Sequence, residues 1–423
     1  MRTNTQKQSV RSERRRHLGG DDGRQSTSRN PAAAQFGSGR AGGSKAVMAL
    51  MAPGHLGTAS RSYIQSHNAI RGFAAIGVFA YHLQLENAYG VPLGLAEGLV
   101  KRGYVWVDLF FILSGFVISL TYQTRLAGLS WSPIRKFLLA RVARILPLHL
   151  FALLYLGALV LGMEGLYRLL GWSPHWSPVT WRDIGDLGLQ AALVQIWSRD
   201  ATMSWNIPSW SVSAEMHIYI LFVPIAGMLA RRPRATMLCL AVISVAIYLF
   251  ILLNYANLDI LTPVALLRCL AGFALGTVLQ NIHRTYPIAP AWLIAAQSAA
   301  LLAIGAVLVS GLHDVFLIPA FVLLVVSTAS DGGLVGRATR GRLAQWLGDI
   351  SYSIYLLNFP ILLSAGLFWP KLEPLLPAGW LIPARLAWMA LLLMLLVAAA
   401  GLTFRFIEVP ARRRMRGTSR LAS

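Results

Sequence analysis

Ten apolar stretches, most of them close to twenty residues long, follow one another between residues 69 and 406. They lie near 69–88, 103–122, 145–162, 208–229, 235–254, 260–281, 291–310, 313–329, 349–369 and 381–406. A helix needs about 20 residues to cross a hydrocarbon core. In lipid, only helices and closed barrels satisfy every backbone group. The expected fold class is therefore all-α: a polytopic membrane protein with about ten transmembrane helices. The stretch at 313–329 is short, and the third has an alternative start near Phe137.

Composition agrees. Hydrophobic residues make up 56% of the 423-residue chain and charged residues only 13%, with mean hydropathy +0.56; a soluble domain carries about 25% charged residues. The net charge of +21 raises nucleic acid as a partner. The basic residues, however, gather in the first 62 residues, in short loops and in the tail, where Lys and Arg report orientation. No nucleic-acid partner is expected. Residues 1–62 read as a disordered, basic, cytoplasmic segment, residues 63–412 as the ten-helix domain, and 413–423 as a basic cytoplasmic tail. Arginines concentrate on alternate loops (Arg141 and Arg144; Arg231, Arg232 and Arg234; Arg337, Arg340 and Arg342; Arg412 to Arg414). The bias predicts both termini inside a cell (inner) membrane. Loop 163–207, with Trp172, Trp176, Trp181, Trp197 and Trp205, reads as an outer cap lying at the interface. Cys239 and Cys269 both fall in spans, so no disulfide framework is expected.

Polar groups interrupt these spans. Insertion scales put an ionisable residue at roughly 2.5–3.5 kcal/mol in mid-bilayer, so each is a candidate for function. Arg71 and His82 are eleven residues apart, which on a helix gives one face and about 16 Å of axial separation. That places an anion anchor at the inner boundary and a general base in the outer half. Asp108 enters the second span from outside at a depth comparable to His82. A carboxylate there would fix the tautomer of the imidazole and favour its charged form. Ser114 and Gly115 follow at mid-membrane, where small residues permit close approach. Arg141 and Arg144 share one helical face at the inner boundary; guanidinium forks suit phosphates. Ser211 and Glu215 share a face, with Glu215 expected one to two turns below the outer surface, near the level of His82. His217, two residues on, points elsewhere, and no metal site is expected.

These segments resemble the acyltransferase-3 family of integral-membrane acyltransferases. The resemblance rests on Arg71 with His82, Val107-Asp108-Leu109-Phe110-Phe111 with Ser114-Gly115, Arg141 with Arg144, Trp210-Ser211 with Glu215, the run Gly348 to Leu356, and Glu408 with Pro410. They occur in the family's order from about residue 65 to 412. The ninth-span motif usually ends in histidine; here it ends in Asn358, which can still hydrogen-bond. The resemblance implies transfer of an acyl group, often acetyl, from cytosolic acyl-CoA to a hydroxyl of a glycan or small molecule. No permanently bound cofactor is implied. On this reading Arg141 and Arg144, with Arg71, hold donor phosphates. His82, oriented by Asp108 or Glu215, deprotonates the acceptor. Ser114 donates to the developing oxyanion. Phe110, Phe111, Trp210, Ser211, Tyr352, Tyr355 and Asn358 line the substrate path. The alternative is a secondary transporter with a proton relay through His82, Asp108 and Glu215; a scaffold that catalyses nothing is a further rival.

Overall fold

A computed structural model describes residues 63–85, 94, 97–170, 184–198, 200, 202, 204–261 and 263–418. The expectations for residues 1–62, and for Trp172, Trp176 and Trp181, lie outside the described residues. The principal helices are α1 (Gln65–Leu85), α2 (Trp106–Leu126), α3 (Trp131–Leu170), α4 (Trp210–Arg231), α5 (Pro233–Asn254) and α6 (Val264–Thr285). They are followed by α7 (Leu293–Ser310), α8 (Leu317–Thr328), α9 (Ser351–Ala365), α10 (Leu381–Thr403) and α11 (Val409–Thr418). No strand occurs among the described residues.

Among the described residues, eight helical stretches are long and apolar enough to cross a membrane. The chain is a multi-pass membrane protein. Two of the ten expected spans fall outside this set. The first coincides with α1, whose Ser66, His67, Asn68, Arg71 and His82 lower its apolarity. The eighth coincides with α8, only 12 residues long and preceded by a 3₁₀ turn, Asp314–Phe316. The polar groups in the first turn of α1 have partners from other parts of the bundle. Asp331 caps its first turn, its carboxylate accepting from the Gln65 and Ser66 amides at 3.1 and 2.7 Å; a carboxylate at a helix N-terminus answers both the free N–H groups and the dipole. His67 Nε2 lies 2.9 Å from the Val325 carbonyl. The Asn68 amide donates to Gln345 O and to Asp349 Oδ1, both at 3.0 Å. A helix studded with polar groups is stable here because it is surrounded by protein.

Two glycine contacts set the core geometry. A Cβ on Gly115 of α2 would fall 2.0 Å from the Phe273 carbonyl oxygen, and one on Gly276 of α6 would fall 2.0 Å from that of Ile112. Bare glycine lets α2 and α6 touch backbone to backbone, the small-residue packing that replaces hydrophobic drive inside lipid. On the other side, Gly348 meets the Asn68 carbonyl oxygen in the same way, with 2.2 Å to a built Cβ. That contact brings the start of α9 against α1 and beside Arg71.

The loop 163–207 departs from expectation. Helix α3 runs 40 residues through Pro147 to Leu170, about 60 Å at 1.5 Å per residue. Beyond it, the described stretch from Gln190 to Ser209 packs into the protein: Gln190, Gln195, Asn206 and Ser209 are buried. Trp197 is exposed, whereas Trp205 is buried. Irregular backbone is tolerated at such depth only when protein satisfies its polar groups, and side-chain amides do so here. Gln190 Nε2 donates to Ser204 O at 2.8 Å, Gln195 Nε2 to Ser209 O at 3.2 Å and Asn206 Nδ2 to Leu356 O at 3.1 Å. His149 of α3 contacts the Gln190 carbonyl at 2.7 Å. These amides hold the entry to α4 in place.

Candidate active site

Four helices that are distant in sequence enclose one cavity. Its walls are Arg71 from α1; Val107, Phe110 and Phe111 from α2; Ser211, Val212 and Glu215 from α4; and Ser351, Tyr352 and Tyr355 from α9. The aromatic wall is held by its own contacts. Phe110 stands edge-on to Tyr355 with centroids 5.9 Å apart. The Tyr355 hydroxyl lies 2.7 Å from Ser211 Oγ and donates to Pro208 O at 2.8 Å. Tyr352 donates to the Ile145 carbonyl of α3 at 2.8 Å. Asn358 lies behind the wall: its Nδ2 donates to Tyr355 O at 2.7 Å, and its buried Oδ1 has no partner.

Glu215 is the carboxyl group in the cavity lining. Its Oε1 accepts from Ser114 and from Tyr219, each at 2.5 Å, and the two hydroxyls are 3.1 Å apart. Arg141 lies behind this trio. It donates to the Tyr122 hydroxyl at 3.2 Å, and its guanidinium carbon lies 5.2 and 5.6 Å from the Tyr122 and Tyr219 rings, within cation–π range. Arg71 carries a different environment. Its charged neighbours are Arg144, Glu215 and Arg412, and among the described residues no carboxylate lies in salt-bridge distance of Arg71 or Arg144. The Arg71 end of the cavity therefore gathers more guanidinium groups than carboxyls, with Glu215 the carboxyl in the lining, an arrangement that attracts anions. Asp349, just before α9, faces Arg144 and Arg412; burial pushes its carboxyl above the usual range, opposed by the Asn68 hydrogen bond and by those two charges.

Three expectations for this region are corrected. Asp108 does not partner His82: Arg268 of α6 takes both its oxygens, Nε to Oδ1 at 2.8 Å and Nη2 to Oδ2 at 2.6 Å. A guanidinium fork matches a carboxylate better than an imidazole does. Arg268 also donates to Tyr104 O at 3.1 Å and lies 5.4 Å over the Trp210 ring, which in turn faces Phe111 at 6.1 Å. Glu215 does not lie at the level of His82 but with Arg71 and Ser114, because the segment leading into α4 is itself buried. Ser114 carries a single proton, and it goes to Glu215, so it has none for an oxyanion in this arrangement.

His82 sits in the last turn of α1, eleven residues and so about 16 Å along the axis from Arg71. Its ring lies 5.2 Å from that of Tyr81, and its buried Nδ1 has no hydrogen-bond partner. His217 contacts Ser213 O and the Trp197 indole at 2.8 and 3.0 Å. No group of three His, Cys, Asp or Glu is placed to hold a metal among the described residues. The residue that sequence reasoning missed is Arg268. An arginine inside an apolar span was the available signal, the same one that marked Arg71.

Comparison with known proteins places the chain among acyltransferases. A family model described as an acyltransferase domain matches residues 64–405. The chain is 26% identical over 386 residues to the acyltransferase MdmB of Streptomyces mycarofaciens, covering 83% of this chain and 92% of that protein. It is 23% identical over 397 residues to the peptidoglycan O-acetyltransferase OatA of Listeria monocytogenes, covering 84% of this chain and 56% of that protein. It thus spans just over half of OatA. No solved structure matches. With a family model covering most of its length, the chain belongs to the acyltransferase-3 family and is a membrane acyltransferase.

Proposed function

We propose that the protein is an O-acyltransferase that moves an acyl group, most simply acetyl, from cytosolic acyl-CoA to a hydroxyl of a glycan or small molecule. In this reading both termini lie in the cytosol and the Arg71 end of the cavity faces it. The observation that carries the reading is Arg71, which lines one end of the cavity, with Arg144 among its charged neighbours; neither guanidinium has a carboxylate in salt-bridge distance among the described residues. The donor phosphates bind there, and the thioester arm enters between Phe110, Phe111, Tyr352 and Tyr355. Arg141 contributes through Glu215 and Tyr219. The name of OatA, a peptidoglycan O-acetyltransferase, supports a hydroxyl-bearing sugar as acceptor.

His82, at the other end of α1, acts as general base. It takes the acceptor's hydroxyl proton as that oxygen attacks the thioester carbonyl. The C–S bond breaks, and the imidazolium returns the proton to the leaving thiolate, giving an ester and free CoA. No permanently bound cofactor enters the scheme.

Arg144→Ala should weaken acetyl-CoA binding by about tenfold to a hundredfold, the cost of one charge-assisted contact of roughly 1.5–3 kcal/mol. Arg141→Ala should lower turnover as well, since it also disturbs the Glu215 trio. Titration calorimetry on purified, folded variants gives the first number. An Arg144→Ala protein with wild-type affinity for acetyl-CoA would remove the donor assignment.

A further inference from the structure

A third guanidinium reaches the Arg71 end from the far terminus of the chain. Between α10 and α11 the helix contains a π-helical turn, Phe404–Glu408. One such turn adds a residue to the winding and re-aims everything after it; these turns are frequent at functional sites. Here it directs Glu408 into the protein. Its side chain is fully buried, accepts from Ser353 of α9, and pairs with Arg412 one turn on. Arg412 stays 23% exposed, and its guanidinium carbon lies 5.6 Å from the Phe404 ring centroid. Helix α11 packs against α3, which carries Arg144. Arg412 and Arg144 both belong to the charged surroundings of Arg71, of Asp349 and of the cavity-wall residue Tyr352.

Orientation bias alone needs no buried carboxylate to aim an arginine. A basic tail residue that only marks the cytosolic side gains nothing from a partner anchored to α9, the helix that carries Tyr352 and Tyr355, through Ser353. We propose that Arg412 is a phosphate-binding residue of the donor site, held in position by Glu408 and acting beside Arg71 and Arg144. The proposal rests on the acyl-CoA reading above and adds a specificity: the site selects a thioester carrying the nucleotide phosphates over one carrying the pantetheine arm alone. Three guanidinium groups would then be available to a donor that has three phosphates. The Glu408 pairing fixes the direction of the Arg412 fork.

The test is titration calorimetry on the purified full chain in nanodiscs, with acetyl-CoA and acetyl-pantetheine as probes. Arg412→Gln should weaken acetyl-CoA by about tenfold to a hundredfold, as expected for one charge-assisted phosphate contact, and leave acetyl-pantetheine unchanged. Arg412→Lys, which keeps the charge without the fork, should recover part of the affinity and guards against a folding defect in the first variant; melting temperatures of both are read in parallel. Equal losses for both probes, or no loss for acetyl-CoA, would overturn the role of Arg412 while leaving the donor site of Arg71 and Arg144 intact. A wild-type protein that binds acetyl-CoA no better than acetyl-pantetheine would overturn the donor reading itself, and this proposal with it.

Discussion

His82→Ala reduces acyl transfer by about 10²–10⁴-fold, the usual worth of a positioned general base, while the protein still inserts and melts like wild type. The second half of that expectation comes from the structure. Among the described residues the His82 ring makes no hydrogen bond to another helix; its one backbone partner is Val78 of α1 itself, so truncation breaks no hydrogen bond that joins α1 to the bundle. The loss should therefore appear in turnover, measured as thiol release from acetyl-CoA in native membranes, with donor affinity unchanged. Because the base must start neutral, the wild-type rate should climb with pH as the ring loses its proton, then level off. A folded His82→Ala protein with near-normal turnover would move the base to Glu215, the carboxyl group that lines the cavity.

Arg268→Ala should be the most damaging single change to stability. It strips the bidentate partner from a fully buried Asp108, and removing one member of a buried ion pair costs about 3–5 kcal/mol. The contact with Trp210 is lost at the same time. Replacing both partners with apolar residues, Asp108→Leu with Arg268→Met, should recover most of the loss, since no buried charge is then left alone. Thermal unfolding in detergent reads both. Asp108→Asn should accordingly lower the melting temperature and leave the pH profile of the enzyme where it was. If Arg268→Ala melts with wild type, the pair does not join α2 to α6 as described.

Much of this arrangement is legible in the sequence, because lipid imposes a harsh filter. An uninterrupted apolar run such as that of α5 or α7 reads directly as a helix. Polar interruptions read as sites: Arg71, Phe110, Phe111, Ser211, Glu215, Tyr352 and Tyr355 were singled out from their spans or from the family resemblance, and they line one cavity. What stays hidden is set by tertiary contact. The depth of Glu215 depends on Gln190, Gln195 and Asn206 supporting irregular backbone, and no hydropathy pattern reports that. The partner of Asp108 is 160 residues away, so the nearer-looking His82 was chosen. Helix α1 fails a simple apolarity test although it lies at the cavity, because its polar side chains are satisfied by neighbours rather than by water. The aim of Arg412 depends on a π-helical turn whose sequence, Phe404 to Glu408, looks like any other end of a span.

If acyl groups leave acyl-CoA on the side where Arg71 and Arg144 lie, and that side is the cytosol, the activity of sealed membrane vesicles should depend on their orientation, because acetyl-CoA is too highly charged to cross them. Vesicles with the cytosolic face outward should release free thiol from added acetyl-CoA, and vesicles from cells lacking the gene should not. Vesicles of the opposite orientation should be inactive until they are permeabilised. Thiol release by intact vesicles of the opposite orientation would contradict the topology. Acylation of the acceptor with the thioester left intact would contradict the donor.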